Sequence, residues 1–151
     1  MRPVAEPPAS ARGRKLLLVT LKVSPNPKPE ERAAVARTNA AMLQHLESLG
    51  FAVTVADEAE PASRAEGQDL VVIMATIRAN RTPGRYRHVI VPVVNLENDI
   101  LDDVRMTAKR RQVDFGELEQ QSAVELVNAP HPLAAGLTSF CLTFVVPCFY
   151  L

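Results

Sequence analysis

KLLLVTL, residues 15–21, is a near-continuous apolar run. Such runs suit a central strand of a parallel sheet, where both faces are covered. DLVVIMA (Asp69–Ala75) has the same character, and so does VIVPVV (Val89–Val94), where Pro92 marks a local break in the ladder. FAVTVA (Phe51–Ala56) supplies another strand, so these four runs are the first to fourth strands as 15–21, 51–56, 69–75 and 89–94. AVELVN (Ala123–Asn128) is the expected fifth and FCLTFVV (Phe140–Val146) the expected sixth.

The segment between the first two strands carries the best helix signals. Pro29 fits a first turn, where a missing N–H costs nothing. Glu30 and Glu31 suit the positive end of the helix dipole. Val35, Met42, Leu46 and Leu49 fall on one side at helical spacing, and Gly50 is a natural left-handed cap. Asp57–Gly67 is expected to hold a short polar helix or loop around Pro61, and Glu97–Arg105 a short helix.

Strands alternating with helices imply right-handed βαβ crossovers. The expected fold is therefore α/β with a mostly parallel sheet. Residues 1–14, rich in Pro, Ala and Arg, read as a flexible leader. Residues 15–146 form the expected single domain and 147–151 a tail.

Composition narrows the function classes. A chain of 151 residues with 47% hydrophobic and 23% charged residues is ordinary globular protein, which excludes a disordered or fibrous reading. Lys+Arg and Asp+Glu number 17 each, so no basic excess exists to meet nucleic-acid phosphates or anionic lipid. Aromatic residues are 5% with no Trp, which leaves little for base or sugar stacking. Cys141 and Cys148 are too few for a disulfide framework or a four-ligand zinc site and read as apolar filler. The leader has no signal-peptide core, and Phe140–Leu151 is too short to span a bilayer and is broken by Pro147. A cytoplasmic location is expected, with no membrane or nucleic-acid partner. A small-molecule or sugar ligand is the expected partner, and a homodimer is left open.

In open parallel sheets ligands bind beyond the carboxyl ends of the strands. The loops after Leu21, Ala75, Val94 and Asn128 therefore matter. KVSPNPKPEE, after Leu21, has no glycine and several prolines, so it lacks the N–H groups that cradle phosphate. No cofactor is expected, neither flavin nor nucleotide. TIRANRTPGRYRH, after Ala75, gathers Arg78, Arg81, Arg85 and Arg87. Guanidinium groups grip carboxylate and phosphate, so this loop is a candidate anion site. The competing account is neutralisation by Glu97, Asp99, Asp102 and Asp103, which follow the adjacent strand. The paired arrangement is expected, and removing Arg78 and Arg81 together would then cost no more than about 1 kcal/mol. Those acids are read as a dipole-favoured helix start, with no metal site, because Asp102 and Asp103 diverge by about 100° on a helix. Histidine is the side chain most often used as a general base, and His131 stands beside a strand end, yet no nucleophile stands on a glycine-flanked elbow. A histidine held in a Pro-bounded turn is the plainer account.

Three segments resemble a family. DLVVIMATI (Asp69–Ile77), YRHVIVPVVNLENDILDDVRMT (Tyr86–Thr107) and VELVNAPHPLAAGL (Val124–Leu137) are similar to ThuA-like (trehalose-utilisation) domains of the class I glutamine-amidotransferase-like superfamily. HPLAAGL is the most specific match, and the resemblance covers residues 15–137. Three departures stand out: Thr76, Ile77 and Arg78 replace a Ser-rich turn, Asn95 replaces an aromatic, and Glu97 keeps the acid. The amidotransferase cysteine has no counterpart, and His131 is followed by Pro132 and Leu133 where that motif has His-Pro-Glu. The family usually continues well past HPLAAGL, so a truncated or altered end is expected. Relatives often sit as modules of secreted bacterial proteins.

The resemblance implies that the fold is a flavodoxin-like three-layer sandwich with a mostly parallel sheet. It also implies a non-catalytic ligand-binding or interaction module connected with carbohydrate. The alternative is a hydrolase or isomerase acting on a small polar or anionic substrate, with His131 and Glu97 as catalytic candidates; a third reading is a fragment with no independent function. Thr76, Arg78, Arg81, Glu97, Asn128 and His131 are the candidate ligand-binding residues.

Overall fold

A computed structural model of the chain describes residues 11–22, 28–125, 128, 130–131 and 139–150. It divides into two compact units, Met1–Met106 and Thr107–Leu151.

The first unit is a four-stranded, all-parallel sheet in an α/β sandwich of flavodoxin-like type. Its strands are β1 (Lys15–Thr20), β2 (Ala52–Asp57), β3 (Leu70–Ile73) and β4 (Val93–Asn95), in the order β2-β1-β3-β4. Leu17 lies opposite Thr54 on one side and Val71 on the other, and Val72 lies opposite Val94. The strands expected at 15–21, 69–75 and 89–94 are thus parallel neighbours. β4 begins later than its apolar run suggests. Pro92 offers only its carbonyl, which accepts from the Val71 N–H at 3.0 Å, and regular pairing starts at Val93.

Alternation along the strands divides the core into two layers. Leu17, Val19, Val71 and Ile73 face one side with Tyr86 and Ile100, while Leu16, Leu18, Val72 and Met74 face the other. The helix α1 (Pro29–Ser48) packs on the second layer through Leu46, Met42 and Leu43. Leu49, expected on that face, is 50% exposed. It is the C-cap residue, and the chain has already begun to turn away there. The Gly50 N–H donates to Glu47 O at 2.9 Å and the Phe51 N–H to Leu46 O at 3.3 Å. This is the paired bonding of a Schellman motif, and it needs Gly50 at φ +97°. A Cβ there would also stand 3.1 Å from Arg12 Cα.

The end of the expected leader is held in place. The Gly13 N–H donates to Gly50 O at 2.9 Å, and Arg14 Nη1 and the Lys15 N–H donate to the Asp69 carboxylate at 3.1 and 2.8 Å. Residues 1–10 lie outside the described residues.

On the first layer the cover is thin. Ala62–Ala65 and Ala79–Arg81 are single 3-10 turns, the first of them at the expected place beside Pro61. The helix expected over Glu97–Arg105 is only a 3-10 turn at Asn98–Ile100, followed by further turns that end with Arg105 at φ +64°. The Glu97 carboxylate accepts from the Asp99 N–H at 3.1 Å, an N-cap bond that starts this turn, while Asn98, Asp99, Asp102 and Asp103 have low helix propensity and do little to extend it.

The second unit holds β5 (Gly116–Glu125) and β6 (Ser139–Tyr150), which pair antiparallel with register shifts around Gln121. The expected fifth and sixth strands therefore pair with each other in a separate two-stranded sheet. Between β4 and β5 only the 3-10 turn Asn98–Ile100 stands where a parallel return usually has a full helix, whereas antiparallel strands need only a loop. β6 also runs through Pro147, which the sequence assigns to a tail; a proline is tolerated where its ladder position needs no N–H. The filler role expected of Cys141 and Cys148 falls on side chains outside the described residues. No helix among the described residues is long and apolar enough to cross a membrane.

Candidate functional site at the carboxyl edge of the sheet

β1 lies between β2 and β3. The chain leaves β1 toward β2 and leaves β3 toward β4, so the two connections diverge. The crevice between the carboxyl ends of β1 and β3 is the topological switch point, where open α/β sheets bind ligands.

Two neutral polar side chains stand there. Asn39, on α1, donates from Nδ2 to Leu21 O at 3.1 Å, and its Oδ1 accepts from Thr76 Oγ1 at 2.8 Å. The pair ties the helix to the ends of both strands and is half-buried. The Thr76 oxygen keeps acceptor capacity, and the Asn39 amide keeps a second N–H.

The arginine that follows is taken up by an acid. The Glu58 N–H extends the ladder by donating to Thr20 O at 2.9 Å, which turns its side chain into the interior at 0% exposure. The carboxylate receives the Arg78 N–H at 2.6 Å and Nε at 2.7 Å, with Nη2 at 2.5 Å. A buried carboxylate is tolerated only when paired and hydrogen-bonded in this way. The expected partners of the arginines were the acids at 97–103; Arg78 instead pairs with an acid of the β2 loop.

The rest of that loop is equally engaged. Glu60 receives the Asp57 N–H at 2.9 Å and Lys22 Nζ at 3.1 Å, and pairs with Arg64 at 3.0 Å. The Asp57 N–H and then the Lys22 ammonium hold the Glu60 carboxyl below its ordinary range. The Lys22 N–H donates to Asp57 Oδ2 at 3.0 Å. Arg85 donates to the carbonyls of Ala59, Glu60 and Arg81 at 2.7, 2.8 and 3.0 Å. It makes no ion pair among the described residues.

Thr76 and Arg78 thus stand at the switch point, with Arg78 committed to Glu58. Arg81 is exposed. Glu97 lies at the carboxyl end of β4 and caps a turn: its N–H donates to Asn95 Oδ1 at 3.1 Å, and its O accepts from Asn95 Nδ2 at 2.7 Å. Asn128 and His131 belong to the second unit, exposed in a turn where the His131 N–H donates to Asn128 O at 3.0 Å. No group of three His, Cys, Asp or Glu among the described residues is placed to hold a metal ion.

Asn39, Glu58 and Glu60 are the residues that sequence reasoning passed over. One signal was available for the acids. The loop after β2 reads DEAE, and it reaches the same sheet edge as the loop after β3. For Asn39, a polar residue in a mostly exposed helix, there was none.

No family model, no curated protein and no solved structure matches this chain.

Proposed function

We propose that the chain is a non-catalytic ligand-binding or interaction module of ThuA-like, amidotransferase-like type, whose ligand is a small neutral polyol or sugar held at the β1/β3 switch point. The observation that carries this reading is the Asn39–Thr76 pair. It offers hydroxyl and amide groups suited to sugar hydroxyls, at the edge where such sheets take ligands. The commitment of Arg78 to Glu58 supports the same choice, because it removes a cation that a phosphate or sugar acid would need. Both Glu58 oxygens accept from Arg78, which leaves this carboxylate poorly suited to act as a general base.

The test is a melting screen of the full chain against trehalose, glucose, gluconate and inorganic phosphate, since a ligand that binds only the folded state raises its melting temperature. A neutral sugar should raise it, and Thr76→Val should remove that shift while leaving the unliganded melting temperature within a few degrees. Stabilisation by gluconate or phosphate alone, or by none of the four, would overturn the proposal.

A further inference from the structure

The face of the sheet opposite α1 carries a second opening. Its cover consists of one-turn helices and irregular chain, and between Ala62–Ala65 and residues 85–91 a groove of about 530 Å³ is left. That volume is within the usual range of small-molecule sites. Its walls are apolar: Ala62, Ala65, Val89 and Val91, with Ile90 at the rim. Ala62, Val89 and Val91 also pack on the core layer of Leu17, Val71 and Ile73, so the walls are anchored. Ile90 is 100% exposed and supports no part of the fold.

The charge around this groove is one-sided. Arg85 lines it, half-buried, and its guanidinium is fixed by three main-chain carbonyls. Carbonyls orient the group without cancelling its charge. Arg81 and Arg87, on the same connection, also make no ion pair among the described residues, and Arg87 Nε is buried without a hydrogen-bond partner. His88 adds an imidazole to the lining. The only acid there is Glu66, which is exposed, so water and salt screen it more than they screen Arg85.

We propose that this groove binds an amphipathic monoanion, an apolar body ending in a carboxylate, with the body against Val89, Ile90 and Val91 and the carboxylate at Arg85. The site is separate from the sugar site proposed above. It lies on residues that lead into β3 and β4, whereas the switch point lies at their carboxyl ends, so either site can fail without the other.

The experiment is calorimetric titration of the full chain with decanoate, decanol and 10-aminodecanoate. Decanoate should bind at least about tenfold more tightly than decanol, which shares the body and lacks the charge. Ile90→Ser should weaken decanoate about tenfold with an unchanged melting temperature. Ser63→Trp, which fills the groove from an exposed position, should abolish binding. The proposal is overturned by no saturable decanoate binding into the millimolar range, by equal affinity for decanol, or by binding indifferent to either substitution. Tighter binding of 10-aminodecanoate also overturns it, because Glu66 would then be selecting a zwitterion.

Discussion

Arg78 and Arg85 lie on the same connection between β3 and β4 and have opposite fates. Arg78 meets the buried Glu58 carboxylate, and its charge is cancelled. Arg85 meets the carbonyls of Ala59, Glu60 and Arg81, and its charge is kept. The first arrangement takes Arg78 out of use as an anion ligand, which favours a neutral ligand beside it. The second fixes a cation beside an apolar groove. A cluster of arginines in a sequence is therefore no single site, because the partner of each guanidinium decides what it can do.

The largest expected effect comes from breaking the first arrangement. Arg78→Met strands a carboxylate at 0% exposure and should cost about 3 kcal/mol in urea unfolding, the lower end for an uncompensated buried charge, since Arg78 itself is 37% exposed and water can reach the gap. Glu58→Leu combined with Arg78→Met should recover part of the loss, because no charge is then left behind although the main-chain N–H of residue 78 loses its acceptor. The sequence alone suggested a loss of no more than about 1 kcal/mol for Arg78 and Arg81 together, as for exposed pairs. A loss that small for Arg78→Met would show Glu58 to be solvated, and the contrast with Arg85 would collapse.

Arg85→Met tests the other half. Two of its three hydrogen bonds are exposed, and water can replace them; the one to Glu60 O is part-buried. The expected loss is about 1.5 kcal/mol, the lower end for one charge-assisted hydrogen bond, since little desolvation stands behind it. No partner substitution should rescue it, since the acceptors are main chain. A loss equal to that of Arg78→Met would mean that Arg85 also answers a buried charge.

What could be read from the sequence was whatever is local. Lys15–Leu21 and Asp69–Ala75 announce central strands by hydrophobicity alone, and Pro29 and Gly50 bracket α1 because capping depends on a few neighbouring residues. Glu58 was hidden because its burial depends on a ladder bond to Thr20, far away in sequence. Reading the edge required knowing that β2 flanks β1, which places the DEAE loop beside the arginine loop. The acids at 97–103 do start a helical turn, capped by Glu97, but the Asn and Asp residues that follow have low helix propensity and the turn does not lengthen into a helix. The fifth and sixth runs had strand character, but hydrophobicity carries no pairing direction, so their antiparallel union was not visible.

A pH titration separates the loop from the buried pair. Glu60 is held below its ordinary range by the Asp57 N–H and by Lys22, and Asp69 likewise by the Lys15 N–H and Arg14. A carboxyl depressed by folding contributes stability that is present above its unfolded value and is lost as pH falls through the folded one. Stability should therefore decline below about pH 4.5, the ordinary glutamate range. Glu60→Gln should flatten part of that decline while leaving the effect of Arg78→Met at neutral pH unchanged. A decline that persists in full in Glu60→Gln would assign the acid sensitivity to other groups.

The smallest effect should come from Arg81→Ala. The Arg81 side chain is exposed and makes no ion pair among the described residues; it is the main chain that is used, its N–H donating to Arg78 O at 2.8 Å and its O accepting from Arg85. Alanine preserves both of those bonds, so unfolding free energy should stay within about 0.5 kcal/mol of the parent, as for surface positions without special contacts. Its charge is not idle, however. With Arg85 and Arg87 it contributes to the positive potential of this connection, and exposed charges at such distances act mainly on approach and are screened by salt. Arg81→Ala should thus slow association of an apolar carboxylate modestly at low salt and leave it unaltered at high salt, with dissociation unaffected in both. A stability loss near that of Arg85→Met would show that the Arg81 side chain is structural, and the division between arginines that hold the fold and arginines that only charge its surface would have to be redrawn.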